Sequence, residues 1–317
     1  MTEIPASPPA AKPSRFHISR RTREHLTGYL FVSPWIFSLL VFTAYPTIAS
    51  FYFAMTDYNI LKPPVFVGLK NFQEMFFKDP LFWISVKNTV YYALISVPLG
   101  VLLGLILAML LNQKLSGIGI YRTIFYLPSL MPAVAATLLG LVILDPRLGL
   151  VNQLLGVFGV PTIGWFRSAA WSKPALILIS LWLGTGSSML IFLAALKDVP
   201  QSLMDAAMID GAGALQRFRN VTLPLISPTI LFNLILGIIG SFQVFGTAFV
   251  ATGSANSAGP LNSLLMYMIL LYRNAFRYFN MGYASAMALV MFLVLVAITA
   301  LTIRSSSQWV YYETAGR

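Results

Sequence analysis

The sequence contains no cysteine and only two histidines, His17 and His25, among its 317 residues. Without thiols the chain has no disulfides, no thiolate nucleophile and no cysteine metal site. Both histidines lie in the polar N-terminal stretch, where two isolated imidazoles indicate a solvated tail rather than a metal centre. An enzyme with acid–base or metal chemistry is therefore the least favoured class.

Charged residues are also scarce, since only 10% of the chain is Asp, Glu, Lys or Arg whereas 57% is hydrophobic. A typical soluble domain is roughly 25% charged. The mean hydropathy of +0.76 points the same way. This composition excludes a soluble globular domain, a disordered chain and a collagen-like chain, and it predicts a polytopic membrane protein.

Long apolar runs support that prediction, because a bilayer core of about 30 Å needs roughly 20 apolar residues as helix. The sequence contains six such runs, and no Asp, Glu, Lys, Arg or His falls inside any of them. The predicted fold class is an all-α polytopic membrane protein with six transmembrane helices. The predicted spans are Tyr29–Tyr52, Asn88–Leu111, Thr123–Leu144, Pro174–Leu196, Leu223–Val250 and Gly282–Ile303.

The absence of ionisable side chains within the spans bears on function. Proton pumps, ion-coupled carriers and voltage sensors keep such groups inside the membrane. A transporter without them is expected to carry a neutral cargo and to take its energy from elsewhere.

The net charge of +11 raises the question of nucleic-acid binding. The Lys and Arg residues sit in short segments between apolar runs, which suits lipid head groups and not a nucleic-acid-binding face. Twelve of the 21 cations, five of them before the first span, fall on the side that also holds both termini. The positive-inside rule then predicts a multi-pass protein of the cell membrane with both termini in the cytoplasm.

The predicted domains are a disordered basic tail over 1–28, a six-helix membrane domain over 29–303 and a cytoplasmic tail over 304–317. Two long outer connections, 53–87 and 145–173, are rich in aromatic residues. Such residues favour head-group depth, so short interfacial helices or a simple aromatic belt are expected there.

The polar segment 197–222 reads as helix, turn, helix. Pro200 suits a helix start, Asp210-Gly211 is a stop and turn, and Pro224 can open the next span. Ala206 and Ala207 would let another surface approach the backbone closely. Physical reasoning alone leaves two interpretations open. The segment could be an amphipathic loop lying on the membrane, or a projecting knob that docks on a partner protein.

The same segment resembles the EAA signature in membrane subunits of binding-protein-dependent ABC importers. That signature is Glu-Ala-Ala, three residues, Gly, nine residues and Ile-x-Leu-Pro. This sequence has Asp205-Ala206-Ala207, Gly211 and Val221-Thr222-Leu223-Pro224 at those offsets, with Asp for Glu and Val for Ile. The resemblance implies a helix that couples to an ATPase subunit. The implied coupling residues are Asp205, Ala206, Ala207, Met208, Asp210, Gly211, Leu223 and Pro224.

Three further segments resemble the first-type permease of sugar importers related to maltose and glycerol-phosphate uptake: 66–72, 145–152 and 309–313. The resemblance implies a type I ABC importer permease fold, a heterodimer with a second permease, two ATPase subunits and an extracytoplasmic substrate-binding protein. The chain has no phosphate-binding Gly-x-x-x-x-Gly-Lys-Ser/Thr loop. ATP and Mg are thus expected on the partner ATPase, and no cofactor is expected in this chain.

A neutral sugar or polyol needs uncharged hydrogen-bonding groups and aromatic faces. Two spans offer such residues, although small residues in spans more often serve helix packing. The candidate substrate-binding residues are Trp182, Gly184, Thr185, Ser187, Ser188, Asn233, Gly240, Ser241 and Gln243. The resemblance places Gly184, Ser187, Ser241 and Gln243 near the sugar-contacting positions of the family.

Two alternatives remain at this point. The chain could be an ABC permease for a non-sugar solute, with helix termini serving a charged cargo. It could also be a self-powered secondary carrier, which the coupling signature and the uncharged spans both disfavour.

Overall fold

The computed structural model describes residues 20–113, 116–253 and 257–311. The chain divides into two compact units, one ending at Ser50 and the other starting at Phe51.

The first unit is helical throughout its described part. Helix α1 spans Arg20–Ser38, a π-helical turn follows at Leu39–Ala44, and α2 spans Tyr45–Ala54. From Glu24 to Ala54 this stretch is long and apolar enough to cross a membrane. Residues 20–28, predicted as disordered tail, begin the helix instead, because only the preceding residues are Pro-rich. The rest of the predicted tail, 1–19, lies outside the described residues.

The second unit consists of twelve further α-helices, shorter helical turns and one hairpin in the described ranges. The elements are β1 Thr56–Asn59, β2 Lys62–Phe66, α3 Lys70–Phe77, α4 Pro80–Leu111, α5 Ile118–Leu130, α6 Ala133–Ile143, α7 Leu150–Val157, α8 Ala169–Lys197, α9 Gln201–Ile209, α10 Ala214–Arg217, a π-helical turn Phe218–Thr222, α11 Leu223–Phe242, α12 Gly246–Ala251, a 3-10 turn Pro260–Asn262, α13 Tyr267–Tyr272, a π-helical turn Arg273–Arg277 and α14 Met281–Ser306. We call the end of the long helices near 197–222 the inner end and the opposite end the outer end.

The predicted third span, Thr123–Leu144, is not one straight helix. It is built from α5 and α6, which meet at an angle of 105°. Met131 is extended at the break, with φ −74° and ψ 141°, and Pro132 follows it. A proline disfavours the helical conformation of the residue before it and lacks the N–H that would continue the ladder. Pro132 was therefore a signal in the sequence for this break.

The predicted fifth span is also shorter than expected at its outer end. Helix α11 stops at Phe242, and Phe245 has φ −132° and ψ −63° before the short α12 begins. Gln243, Val244 and Phe245 therefore form an irregular break. Continuous apolarity hid it, since the run to Val250 contains no proline or charge after residue 228.

Small residues let the long helices approach closely. A Cβ atom at Gly104 of α4 would lie 2.5 Å from Ser188 Oγ of α8, and one at Gly186 would lie 2.5 Å from the Phe125 carbonyl oxygen of α5. Ser129 Oγ donates to the Leu183 carbonyl across the same α5–α8 contact, at 2.7 Å. Close packing and short interhelical hydrogen bonds are what hold helices together where lipid surrounds them.

The outer connection 53–87 forms a hairpin and a helix, whereas the aromatic content predicted only helices or a belt. Strands β1 and β2 pair antiparallel, with Thr56 opposite Phe66. Asn71 of α3 donates to the carbonyls of Ala54 and Thr56, both at 2.9 Å. Asp79 then caps α4 by accepting the Leu81 N–H at 2.8 Å.

The second outer connection, 145–173, contains the predicted short helix as α7. The Asp145 carboxylate accepts from the N–H groups of Leu148 at 3.0 Å and Arg147 at 2.8 Å. These hydrogen bonds hold the pKa of Asp145 below its usual range. Asn152, nearly buried, accepts from Ile163 N–H and Trp165 Nε1, so the segment folds back on itself.

Candidate functional site

Two features of the second unit could carry function, the segment 197–222 at the inner end and a polar groove between α4, α8 and α11. The inner segment folds as helix, turn, helix, as its sequence predicts. Helix α9 runs Gln201–Ile209 with Pro200 at its N-cap. Gln201 Nε2 donates to Asp205 Oδ1 at 2.9 Å, one turn along the exposed face.

Gly211 makes the turn that ends α9. Its φ is +79°, a left-handed conformation that a residue with a Cβ rarely adopts. The Ala212 N–H donates to the Ala207 carbonyl at 2.9 Å, and the Gly211 N–H donates to the Met208 carbonyl at 3.0 Å. This pair of bonds is the Schellman arrangement that satisfies the last carbonyls of a helix.

The chain after the turn forms one continuous helix into the membrane. Gln216 Oε1 accepts the Gly213 N–H at 2.9 Å, and helix runs from Ala214 to Phe242. A π-helical turn at Phe218–Thr222 precedes Pro224, whose missing N–H would otherwise interrupt a regular ladder. Leu223 and Pro224 therefore lie inside this long helix rather than at its start. Helix α9 joins this long helix through the turn at residues 210–213.

The inner segment presents apolar side chains on its surface. Leu203, Met208, Ile209 and Leu215 are exposed, with Ile209 at 87%. Beside them lies a groove of about 370 Å³, bounded by Leu203, Ala206, Ala207, Asp210, Asn220, Val221, Pro224, Leu225 and Tyr311. The structure thus brings Ala206, Ala207, Asp210 and Pro224 of the predicted coupling set to one groove. Asp205, Met208 and Gly211 are exposed beside it, and Leu223 is half-buried in α11.

A second groove, of about 300 Å³, opens between α4, α8 and α11 at mid-length. Its lining carries hydroxyls, one amide and apolar surface but no ionisable group other than a tyrosine. The lining residues are Tyr92, Ser96, Val97, Gly100, Val101, Ser180, Leu181, Gly184, Thr185, Ser187, Ser188, Ile191, Asn233, Leu236, Gly237 and Ser241.

Six of the nine predicted cargo residues line this groove, and they come from two helices. Gly184, Thr185, Ser187 and Ser188 belong to α8, and Asn233 and Ser241 belong to α11. Trp182, Gly240 and Gln243 do not line it. Trp182 and Gly240 are exposed, and Gln243 caps the C-terminal end of α11 with its side chain exposed.

Three of the groove hydroxyls, those of Thr185, Ser188 and Ser241, are hydrogen-bonded within α8 and α11. Ser188 Oγ lies 3.1 Å from Asn233 Oδ1, and Asn233 Nδ2 donates to the Thr229 carbonyl at 2.9 Å. Ser241 Oγ donates to the Ile238 carbonyl at 2.8 Å. The buried Ser180 Oγ differs, since the group that it interacts with is another hydroxyl of the groove lining, that of Tyr92 on α4. Either hydroxyl could exchange this contact for a hydrogen bond to a ligand or a water.

Sequence reasoning missed the α4 wall of the groove. Tyr92, Ser96 and Gly100 repeat at intervals of four, so they share one face of α4. That periodic polar and small stripe in an otherwise apolar helix was the signal that could have found them. Ser180 of α8, four residues before Gly184, follows the same rule.

No group of three or more His, Asp or Glu side chains that could hold a metal occurs in the part of the chain that the structure describes. The groove can therefore offer hydrogen bonds, an aromatic edge and apolar contact to an uncharged polar molecule. It offers no acid–base pair and no electrophile.

An uncharged groove in a set of membrane-spanning helices, joined by a continuous helix to an exposed inner segment, suits a permease subunit of a transport system. The match to family models agrees, since residues 100–310 fit the "Binding-protein-dependent transport system inner membrane component" family. This chain belongs to that family. It is an ABC importer permease and a multi-pass membrane protein, which confirms the predicted family and the transport role in place of catalysis.

Relatives of known name cover nearly the whole chain. The chain is 42% identical over 293 residues to "Probable ABC transporter permease protein YesP" of Bacillus subtilis (strain 168), covering 92% of this chain and 94% of that protein. It is 34% identical to the lactose transport system permease protein LacF of Rhizobium radiobacter, over 87% and 92%. It is 32% identical to the trehalose/maltose transport system permease protein MalF of Thermococcus litoralis, also over 87% and 92%.

A solved structure shows the same fold. It is a bacterial alginate ABC transporter in complex with an alginate pentasaccharide-bound periplasmic protein. The match covers 91% of this chain and 96% of the chain in that structure, with a TM-score of 0.79 and 23% sequence identity. The predicted type I permease fold is thereby confirmed.

Proposed function

We propose that this chain is one of two permease subunits of an ATP-driven importer that carries a neutral sugar or polyol across the inner membrane. The observation that carries the proposal is the uncharged groove between α4, α8 and α11, where seven hydroxyl-bearing side chains and Asn233 face a volume of about 300 Å³. A hydroxyl-rich solute suits such a lining because it can exchange water for these groups without a charge to neutralise.

The relatives support a saccharide as cargo. LacF and MalF are named for lactose and for trehalose or maltose transport. The alginate importer moves an acidic polysaccharide. Its matched chain is only 23% identical to this one, so the similarity supports the fold alone. The groove lining contains no Lys, Arg or His that could bind a carboxylate, which favours a neutral cargo.

The inner segment is proposed to dock on the ATPase. Exposed Leu203, Met208, Ile209 and Leu215 supply an apolar contact surface on a knob held by the Gly211 turn. ATP and Mg would bind to two ATPase subunits, whose closure moves α9. The continuous helix from Ala214 to Phe242 would pass that shift to Asn233 and Ser241 in the groove.

The remaining partners follow from the same assembly. A second permease would complete the path, and a substrate-binding protein would deliver the sugar at the outer end. Both chain termini would lie in the cytoplasm with the inner segment, because the cations concentrate there. Phospholipid would cover the exposed apolar helix faces.

The test is uptake by the reconstituted importer in proteoliposomes, with labelled di- and oligosaccharides, a uronate oligosaccharide, amino acids and phosphate as competitors. Competition by neutral saccharides alone supports the proposal. Competition by amino acids or phosphate would reassign the permease to another solute class. Selective competition by the uronate would refute the neutral-cargo part only.

A further inference from the structure

An irregular segment at the outer end, 258–267, is buried at Ala258 and over residues 263–267, whereas Leu261 is exposed. Leu261 and Asn262 have φ values of +52° and +58°, a left-handed conformation that costs energy for residues with a Cβ. Leu264, Leu265 and Met266 are completely buried. Since the backbone is strained at Leu261 and Asn262 and the residues that follow are buried, neighbouring side chains must hold this segment in place.

Asn88 of α4 makes hydrogen bonds that hold the segment. Its side chain is 7% exposed, and Nδ2 donates to the Asn262 carbonyl at 2.8 Å and to the Leu265 carbonyl at 3.2 Å. Its Oδ1 accepts from Lys173 Nζ of α8 at 3.2 Å. The next residue, Thr89, accepts the Tyr267 N–H at 2.9 Å. One amide thus ties α4, α8 and segment 258–267 together.

The hydrogen bonds of Asn88 lie beside the groove, toward the outer end. Asn88 is four residues before Tyr92, and Tyr92 both lines the groove and packs in the apolar cluster with Leu264, Leu265 and Met266. On α8, Leu176 and Ile177 of the same cluster lie one turn before groove residue Ser180. The cluster therefore borders the groove on the side of the outer end.

We propose that Asn88 is a positioning residue that holds segment 258–267 as the outer closure of the groove. The inference rests on the proposed transport function, since a closure matters only where cargo passes. With the two amide–carbonyl bonds in place, cargo arriving from the outer side is expected to reach Ser180 slowly. The Lys173 contact is expected to orient the amide, because it fixes which of its two ends faces the carbonyls.

The absence of cysteine in this chain gives a direct test. A Ser180→Cys reporter is introduced into the assembled importer without nucleotide, and a charged, membrane-impermeant thiol reagent is added at the outer side. Modification of this chain is followed by its mass. In the otherwise native protein the reporter is expected to react slowly.

Adding Asn88→Leu, which removes all three contacts, is expected to raise the modification rate about tenfold, as the loss of two or three buried hydrogen bonds implies. Asn88→Asp is the second variant, because a carboxylate keeps the size and the Lys173 contact but cannot donate to the carbonyls. It is expected to raise the rate as well. Lys87→Gln, on the neighbouring exposed position of α4, is the matched control and should leave the rate unchanged.

If Asn88 only stabilised the fold, Asn88→Leu would loosen the whole molecule and not the outer end alone. An Ala194→Cys reporter near the inner end of α8, probed from the ATPase side, should therefore react equally fast with and without Asn88→Leu. Unchanged labelling of Ser180→Cys in both Asn88 variants, or equal acceleration at both reporters, would overturn the proposal. Labelling needs no transport, so a failure of the transport function would show separately, as absent ATP-driven uptake by the native protein.

Discussion

Gly211 is the residue on which the inner knob depends most. A Cβ there would meet nothing within 4 Å, so substitution costs only backbone strain at φ +79°, roughly 1–2 kcal/mol for an L-residue. Gly211→Val should therefore lower transport and cargo-stimulated ATP hydrolysis together, while the chain still reaches the membrane. The measurement is both rates in proteoliposomes, alongside the amount of chain recovered.

Gly213→Ala is the matched control, because Gly213 has φ −66° and a Cβ would meet only Gln216 Oε1 at 3.8 Å. Its rates should equal those of the native protein. Normal uptake by Gly211→Val would contradict the coupling role of the turn.

Ser180 should matter more for cargo affinity than Gln243, although only Gln243 was expected from sequence. The Ser180 hydroxyl lines the groove beside the Tyr92 hydroxyl, whereas Gln243 lies outside the groove. Ser180→Ala should raise the KM for uptake roughly three- to tenfold, the value of one hydrogen bond to a neutral group. Gln243→Leu should leave the KM unchanged. The reverse order of effects would move the cargo site away from this groove.

At the scale of helices, the contact between α5 and α8 leaves no room for a side chain at Gly186. A Cβ there would lie 2.5 Å from the Phe125 carbonyl oxygen and 2.9 Å from Tyr126 Cα, both backbone atoms. Gly186→Ala should therefore destabilise the protein by about 1–3 kcal/mol through overpacking. The melting temperature of the solubilised importer measures this. Gly184→Ala, where a Cβ meets nothing within 4 Å, should melt like the native protein, and equal melting of both variants would show that α5 can move aside.

Long elements were predictable because their length and apolarity are set by the bilayer. The long helices α4, α8, α11 and α14 lie where the apolar runs are, and the Asp210-Gly211 turn lies where its residues predict it. The break after Phe242 was not predictable, because Val244 and Phe245 pack against residues that are distant in the chain, among them Tyr272. The α4 wall of the groove was missed since Tyr92, Ser96 and Gly100 look like ordinary packing residues until α8 and α11 lie against them.

At the scale of the whole molecule, the energy source is the property that separates an ABC importer from a carrier. The apolar runs hold no Asp, Glu, Lys, Arg or His, which are the side chains on which proton coupling within a membrane depends. Uptake by the reconstituted assembly should require ATP and should persist when a protonophore collapses the proton gradient. Proton-driven uptake by this chain alone would contradict the account.

The most direct test of the central claim is affinity purification of the chain from native membranes in mild detergent, followed by mass spectrometry. The account predicts that a nucleotide-binding subunit and a second, different permease co-purify, and that Gly211→Val weakens recovery of the nucleotide-binding subunit more than that of the second permease. Recovery of the chain alone, or as a homodimer without an ATPase, would contradict the account.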